Sequence, residues 1–128
     1  MKRVVATSEA PAAVGPYSQA IAIGDLLFCA GQIPLDPVTG DLVGPDVTAQ
    51  TERVCQNIGA VLKANGFTFA NVVKTTVFLT DLANFAAMNA VYSKYFTEPF
   101  PARSTIQVAG LPRGSQVEIE VTAFVPAP

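Results

Sequence analysis

The stretch FPARSTIQV (100–108) passes from an aromatic-proline segment into a β-branched run, and Arg103 stands at the entry to that run. Alternate residues of an extended strand share a face, so Arg103 is expected beside Thr105 and Gln107. A second stretch, VEIEVTAFV (117–125), puts Val117, Ile119, Val121 and Ala123 on one face and Glu118, Glu120 and Thr122 on the other. A guanidinium is planar and permanently charged, and it takes a carboxylate through two parallel hydrogen bonds without exchanging protons. A glutamate free of such a partner can accept a proton from water, the more so where burial raises its pKa. Arginine, glutamate and water suffice for a mild hydrolysis. The same residues admit a plainer reading, a wetted sheet face with one cross-strand ion pair worth at most about 1 kcal/mol. If strands 103–109 and 117–124 pair as a hairpin, the Arg103 face lies beside the Glu118 face, and both readings rest on that pairing.

The chain has no histidine and no tryptophan. Without imidazole there is no Ser-His-Asp or Cys-His machinery and no histidine zinc site, so acid-base chemistry falls to carboxylate, tyrosine, lysine, backbone or water. A formal net charge of −2 offers no basic stripe for a phosphate backbone, and nucleic acid is not expected as a partner. Cys29 and Cys55 fit no metal-ligand or disulfide spacing and are expected as small packing residues. Neither a signal-peptide core after MKR nor an apolar run of roughly 18 residues is present, so a soluble, cytoplasmic protein without a membrane partner is expected. Half of the 128 residues are hydrophobic, enough to fill one core, and the whole span 1–128 reads as one domain.

The elements that must position Arg103 and Glu118 follow from periodicity. KRVVAT (2–7) is a short strand, and YSQAIAIGDLLFCAG (17–31) is two strands joined at Gly24-Asp25. Residues 33–46, punctuated by proline and glycine, form a loop with a short β excursion. Asp46 caps a helix whose Val47, Val54, Ile58, Val61 and Leu62 share one side and which ends at Asn65-Gly66. VVKTTVFLT (72–80) reads as a central strand. Asp81 is the cap of a second helix, whose Phe85, Met88, Val91, Tyr92, Tyr95 and Phe96 are expected in the core. Two helices segregated to one face of a mixed sheet make an α+β fold.

Five stretches, APAAVGPYSQA (10–20), AGQIPLDPVTGDL (30–42), VVKTTVFLTDLANFAAMNAVY (72–92), FPARSTIQV (100–108) and VEIEVTAFV (117–125), closely resemble the reactive intermediate deaminase family, also called the YjgF or RidA family. The resemblance spans nearly the whole chain in the family's order. It implies a chorismate-mutase-like α+β fold assembled as a homotrimer with sites between subunits. It also implies hydrolysis of 2-enamino or 2-imino acids, such as 2-iminobutanoate and 2-iminopropanoate, to 2-oxo acids and ammonia, with no metal or organic cofactor. Carried over residue by residue, Arg103 and the Gly31 N–H hold the substrate carboxylate, Glu118 positions the hydrolytic water, and Tyr17 and Asn89 complete the polar lining. Thr105, two residues beyond Arg103, is a further candidate contact. Glu120 matches the family pattern as a structural or solvent-facing carboxylate.

Each position also has a structural explanation. Tyr17 can cap a hairpin core, Asn89 can be a helix-surface amide and Gly31 can serve a bend. Ala30 replaces a serine frequent in the family, Thr105 replaces a frequent cysteine, and TEPFP (97–101) is short, so the range of substrate side chains is left open. The alternatives to a deaminase are a non-catalytic trimer that binds 2-oxo acids as a sensor or scaffold and, less in keeping with the acidic composition, a ribonuclease or translation inhibitor.

Overall fold

Asp46 has extended backbone and its carboxylate accepts a hydrogen bond from the Ala49 N–H at 2.9 Å, so helix α1 (Val47–Ala64) starts where the sequence places its cap. It ends at Asn65, and Gly66 takes the left-handed conformation (φ +73°) that turns the chain away. Val47, Val54, Ile58, Val61 and Leu62 are all buried. Three polar residues lie on the same buried side, and each is bonded. Thr51 Oγ1 donates to the Val47 carbonyl at 2.7 Å, Gln50 Nε2 to Gly44 at 3.1 Å, and Asn57 Nδ2 to Leu35 at 3.0 Å. The last two bonds hold the 33–46 loop, which contains the expected β excursion as a bridge between Leu35 and Leu42.

The computed structural model describes residues 1–125. In chain order its strands are β1 (Arg3–Val5), β2 (Ala20–Ile23), β3 (Leu26–Gln32), β4 (Val72–Leu79), β5 (Ala102–Gln107) and β6 (Val117–Phe124). Gly24, at φ +56°, starts the two-residue turn between β2 and β3. Asp81 accepts from the Ala83 N–H at 2.9 Å and caps a 3₁₀ turn, Leu82–Asn84, which leads into helix α2 (Phe85–Tyr95); the expected cap therefore acts one turn earlier than the helix proper.

All six strands form one mixed sheet in the order β1-β2-β3-β6-β4-β5. Strand β4, expected as a central strand, is an interior one next to the edge strand, with β6 antiparallel on one side and β5 parallel on the other. The expected hairpin of 103–109 with 117–124 does not form, because β4 lies between β5 and β6. Val117, Ile119, Val121 and Ala123 face the helices and are buried, as are their β4 neighbours Thr75, Val77 and Leu79. Cys29 and Cys55 are buried too, and burial pushes both thiols up to about 12. Among the described residues no helix is long and apolar enough to cross a membrane.

Replacing Asp46 by alanine removes the α1 cap bond without opening a cavity. It is expected to lower stability by about 1 kcal/mol, read from urea unfolding at one fixed protein concentration.

Candidate active site

Residues paired directly across a sheet point to the same side, and the register decides where each candidate lies. Arg103 pairs with Thr75, Thr105 with Val77 and Gln107 with Leu79, so all three share a face, the one beneath the helices. Glu118 pairs with Phe78 and Glu120 with Thr76, on the opposite face. Arg103 and Glu118 therefore lie on opposite sides of the sheet within one chain. The cross-strand ion pair of the plainer reading is absent; among the described residues the one ion pair is Lys94 with Glu52, at 3.8 Å.

Arg103 is half-buried and tightly held. Its Nη1 donates to Asn89 Oδ1 at 2.7 Å, and its Cζ lies 4.8 Å from the ring centre of Tyr92 and 5.4 Å from that of Phe85. Phe85, Asn89 and Tyr92 recur at four- and three-residue steps and so project from one side of α2 over β5. Tyr92 is fixed in turn by a buried hydrogen bond of 2.8 Å between its hydroxyl and Thr75 Oγ1. Burial raises the Tyr92 pKa, against the opposing pull of the Thr75 bond and of Arg103, so its ring stays neutral beside the guanidinium. A cleft of about 670 Å³ opens here, lined by Arg103, Asn89, Tyr92, Ser93, Phe96 and Phe100. Its features, one cation against aromatic walls, suit a carboxylate with an apolar remainder.

Glu118 belongs to a second group. Cys29 pairs with Val121 and Gln32 with Ile119, so Ala30 and Gly31 together oppose Glu120, a β-bulge in β3. A Cβ built on Gly31 would lie 2.8 Å from the Glu118 Cδ and overlap its Oε2, so the carboxylate occupies the space that glycine leaves. Burial, and secondarily the charge of Glu120, raises the Glu118 pKa. Tyr17 and Gly31 line one cleft of about 290 Å³ with Gln19, Ile33, Leu35 and Arg113. Tyr17 is exposed, and its hydroxyl accepts a long 3.4 Å bond from the Val14 N–H. Buried Gln19 holds the segment that carries Tyr17: its Oε1 accepts from the Thr7 N–H at 2.7 Å, and its Nε2 donates to the Pro11 carbonyl at 2.7 Å.

Of the sequence candidates, Arg103 joins Asn89, Tyr17 shares a cleft with Gly31, and Glu118 lies against Gly31 without lining that cleft. Thr105 joins neither group: it shares the Arg103 face, but its Oγ1 is buried without a hydrogen-bond partner. Tyr92 and Phe85 were expected only in the core, yet they flank the guanidinium. Their spacing with Asn89 was the signal that placed them on its side of the helix.

Over residues 7–125 the chain matches the family described as endoribonuclease L-PSP. It is 52% identical over 122 residues to Reactive Intermediate Deaminase A, chloroplastic, from Arabidopsis thaliana, which covers 95% of this chain and 65% of that protein. With the 2-iminobutanoate/2-iminopropanoate deaminase of Homo sapiens it shares 46% identity over 124 residues, 97% of this chain and 90% of the human one. The crystal structure of RidA from the Antarctic bacterium Psychrobacter superposes with a TM-score of 0.93 at 44% identity, covering 96% of this chain and 99% of that one. The chain belongs to the YjgF/RidA family. The family resemblance read from the five sequence stretches is thus borne out, and so is the α+β fold with both helices over a mixed sheet. In this member of the YjgF/RidA family the serine and cysteine positions noted above are occupied by Ala30 and Thr105, neither of which adds a free polar group to a cleft.

The raised pKa of Glu118 has a sign that can be tested. Because the folded state favours the protonated carboxyl, the contribution of Glu118 to stability is fully present below the ordinary glutamate range and is lost as pH rises through the raised value. In a dilute, monomeric sample Glu118→Gln is therefore expected to gain stability relative to wild type between acid and neutral pH. Paired urea titrations across that range check the difference, and a gain that grew toward acid pH would contradict it.

Proposed function

We propose that the chain is a cofactor-independent deaminase that hydrolyses 2-imino and 2-enamino acids, 2-iminobutanoate and 2-iminopropanoate among them, to 2-oxo acids and ammonia. The observation that carries this reading is Arg103: a guanidinium clamped by Asn89 and two aromatic rings, at the wall of a cleft and, among the described residues, without a carboxylate partner. The names of the relatives at about half identity support the same chemistry.

In this reading Arg103 and the Gly31 N–H anchor the substrate carboxylate, with Asn89 and Tyr17 completing the polar lining. Glu118 takes a proton from water as the oxygen adds to C2 of the imine. That proton passes from Glu118 to the nitrogen to complete the carbinolamine; Glu118 then takes the hydroxyl proton and hands it to the nitrogen as the C–N bond breaks, so that ammonia and the 2-oxo acid leave. The uncatalysed reaction is already feasible in water, so orientation and one proton relay supply what is needed, at tenfold in rate for each ~1.4 kcal/mol. Thr105 would bear on this site through packing rather than by contact.

Arg103 and Glu118 face opposite ways in one chain, and a complete site needs Arg103 of one copy beside Glu118 of another. The sheet face opposite the helices carries exposed Phe28, Ile106 and Phe124, an apolar surface suited to self-association. A homotrimer with sites between subunits satisfies both requirements. Sedimentation should accordingly give a trimer, and a variant held monomeric should lose turnover.

A second reading, RNA cleavage, takes its support from the family description. It has against it a histidine-free chain and a net charge of −2, and it would show the steep salt dependence of phosphate binding. A non-catalytic 2-oxo acid sensor would need Arg103 but tolerate loss of Glu118.

The deciding experiment generates each imine in situ with an amino-acid oxidase and competes enzyme against semicarbazide trapping. Wild type should suppress trapping, and Arg103→Ala and Glu118→Ala should each lower kcat/KM by about a hundredfold or more. Full activity in Glu118→Ala would end its assignment to water, and trapping unchanged by wild type would end the deaminase reading.

A further inference from the structure

The turn before β6 contains a residue in an unfavourable conformation. Arg113 has φ +62° and ψ +16°, in the left-handed region, and Gly114 follows at φ +70°. Among the described residues no other non-glycine has positive φ. Glycine, asparagine and aspartate adopt this conformation readily, whereas an arginine pays for its Cβ and gains no local hydrogen bond of the asparagine kind. Strain retained beside a cleft points to a role for the side chain that carries it.

Arg113 lines the cleft shared by Tyr17 and Gly31, and among the described residues is the only charged one to do so. The Glu118 carboxylate lies against Gly31, one of the residues of that cleft's wall. One Arg113 donor, Nη1, reaches the Gly40 carbonyl at 3.2 Å and ties the turn to the 33–46 loop. No carboxylate lies within ion-pair distance of Arg113 among the described residues. Asp36, on the adjoining cleft, instead accepts from the N–H groups of Val38 and Thr39 at 2.8 and 3.0 Å. Arg113 is exposed and has most of its five donors open to solvent or to a ligand, beside walls that are otherwise largely apolar, where a guanidinium selects an anion and favours a bidentate carboxylate.

We propose that Arg113 is a specificity residue that binds a second carboxylate, so that the site accepts 2-imino acids with acidic side chains, the 2-iminosuccinate and 2-iminoglutarate class. The inference rests on the deaminase reading, in which Arg103 already holds the carboxylate next to the imine. Within one chain the two arginines line different clefts, and the pairing of copies that brings Arg103 to Glu118 and Gly31 brings it to the cleft of Arg113 as well, which supplies two cations for a diacid. The reaction is unchanged: water adds to C2, the C–N bond breaks, and ammonia leaves with a dicarboxylic 2-oxo acid.

Glycine and asparagine are at home at φ +62°, so Arg113→Gly and Arg113→Asn remove the cation while relieving the backbone. Wild type and both variants are compared on 2-iminosuccinate, made from aspartate by an aspartate oxidase, and on 2-iminobutanoate, with semicarbazide competition as readout. Both variants should lose about tenfold in kcat/KM on 2-iminosuccinate, keep 2-iminobutanoate turnover within about twofold, and melt no lower than wild type. Arg113→Lys should recover part of the loss. Calorimetry gives a readout independent of turnover, with 2-oxoglutarate binding weakened by the variants and 2-oxobutanoate binding unaffected. Equal losses on both imines, no loss on either, or wild type that hydrolyses 2-iminobutanoate but not 2-iminosuccinate would each overturn the role of Arg113 and leave the deaminase standing. Wild type inactive on both would overturn the two together.

Discussion

Strand β4 is the element on which both halves of the site depend. It pairs antiparallel with β6 and parallel with β5, so one residue spacing on β4 sets the facing of residues on both neighbours. Thr75 aligns Arg103 beneath the helices, and Phe78 aligns Glu118 on the other side. A parallel neighbour can be reached only by a crossover of a dozen or more residues, and α2 lies in that crossover. The helix demanded by the pairing is thereby the one laid over Arg103, and it brings Asn89, Tyr92 and Phe85 to the guanidinium. Thr75 contributes twice, through its register with Arg103 and through the hydroxyl that fixes Tyr92.

Much of this was legible in the sequence where a single element carries its own signal. Asp46, the buried stripe of α1 and Asn65-Gly66 mark a helix from cap to stop, because capping and 3.6-residue periodicity are local properties. The alternation of β4 and β6 was equally plain. Strand adjacency was not, since 103–107 and 117–124 are consecutive and hairpins are the commonest link between such strands. What overruled the hairpin is a strand–helix–strand pattern over 72–107, which favours a parallel pair with the earlier strand. The site divides along the same line. Asn89 and Arg103 come together because α2 and β5 belong to that unit, while the facing of Glu118 away from them depends on a pairing that no local pattern records. The contact of Gly31 with Glu118 is of this second kind, for it needs the bulge in β3, and the glycine alone suggested only a bend.

The loops around the Tyr17 cleft are held by buried amides rather than by apolar packing. Gln50 links the Gly44 carbonyl to the Gln116 N–H, Asn57 holds Ile33 and Leu35, and Gln19 bonds the segment from Thr7 to Pro11. Such residues sit where a helix or strand pattern calls for an apolar side chain, and they are tolerated because their donors and acceptors are satisfied. The result is a stiff frame around irregular backbone, which is what allows a strained turn such as that at Arg113 to persist. The aromatic clamp on Arg103 and the amide frame around Tyr17 are different means to the same end, side chains fixed before a ligand arrives.

The place of β6 in the sheet bears on how the protein is made. The last strand in the described chain is an interior one, lying between β3 and β4. A ribosome releases the chain from its N-terminus at about 5–20 residues per second, so the edges of β3 and β4 that face each other stay unpaired until residues 117–124 emerge. Until β6 emerges, the β1–β3 and β4–β5 strand sets have no strand to join them, and a translation error or stop ahead of β6 leaves both with open hydrogen-bonding edges rather than a slightly shortened fold.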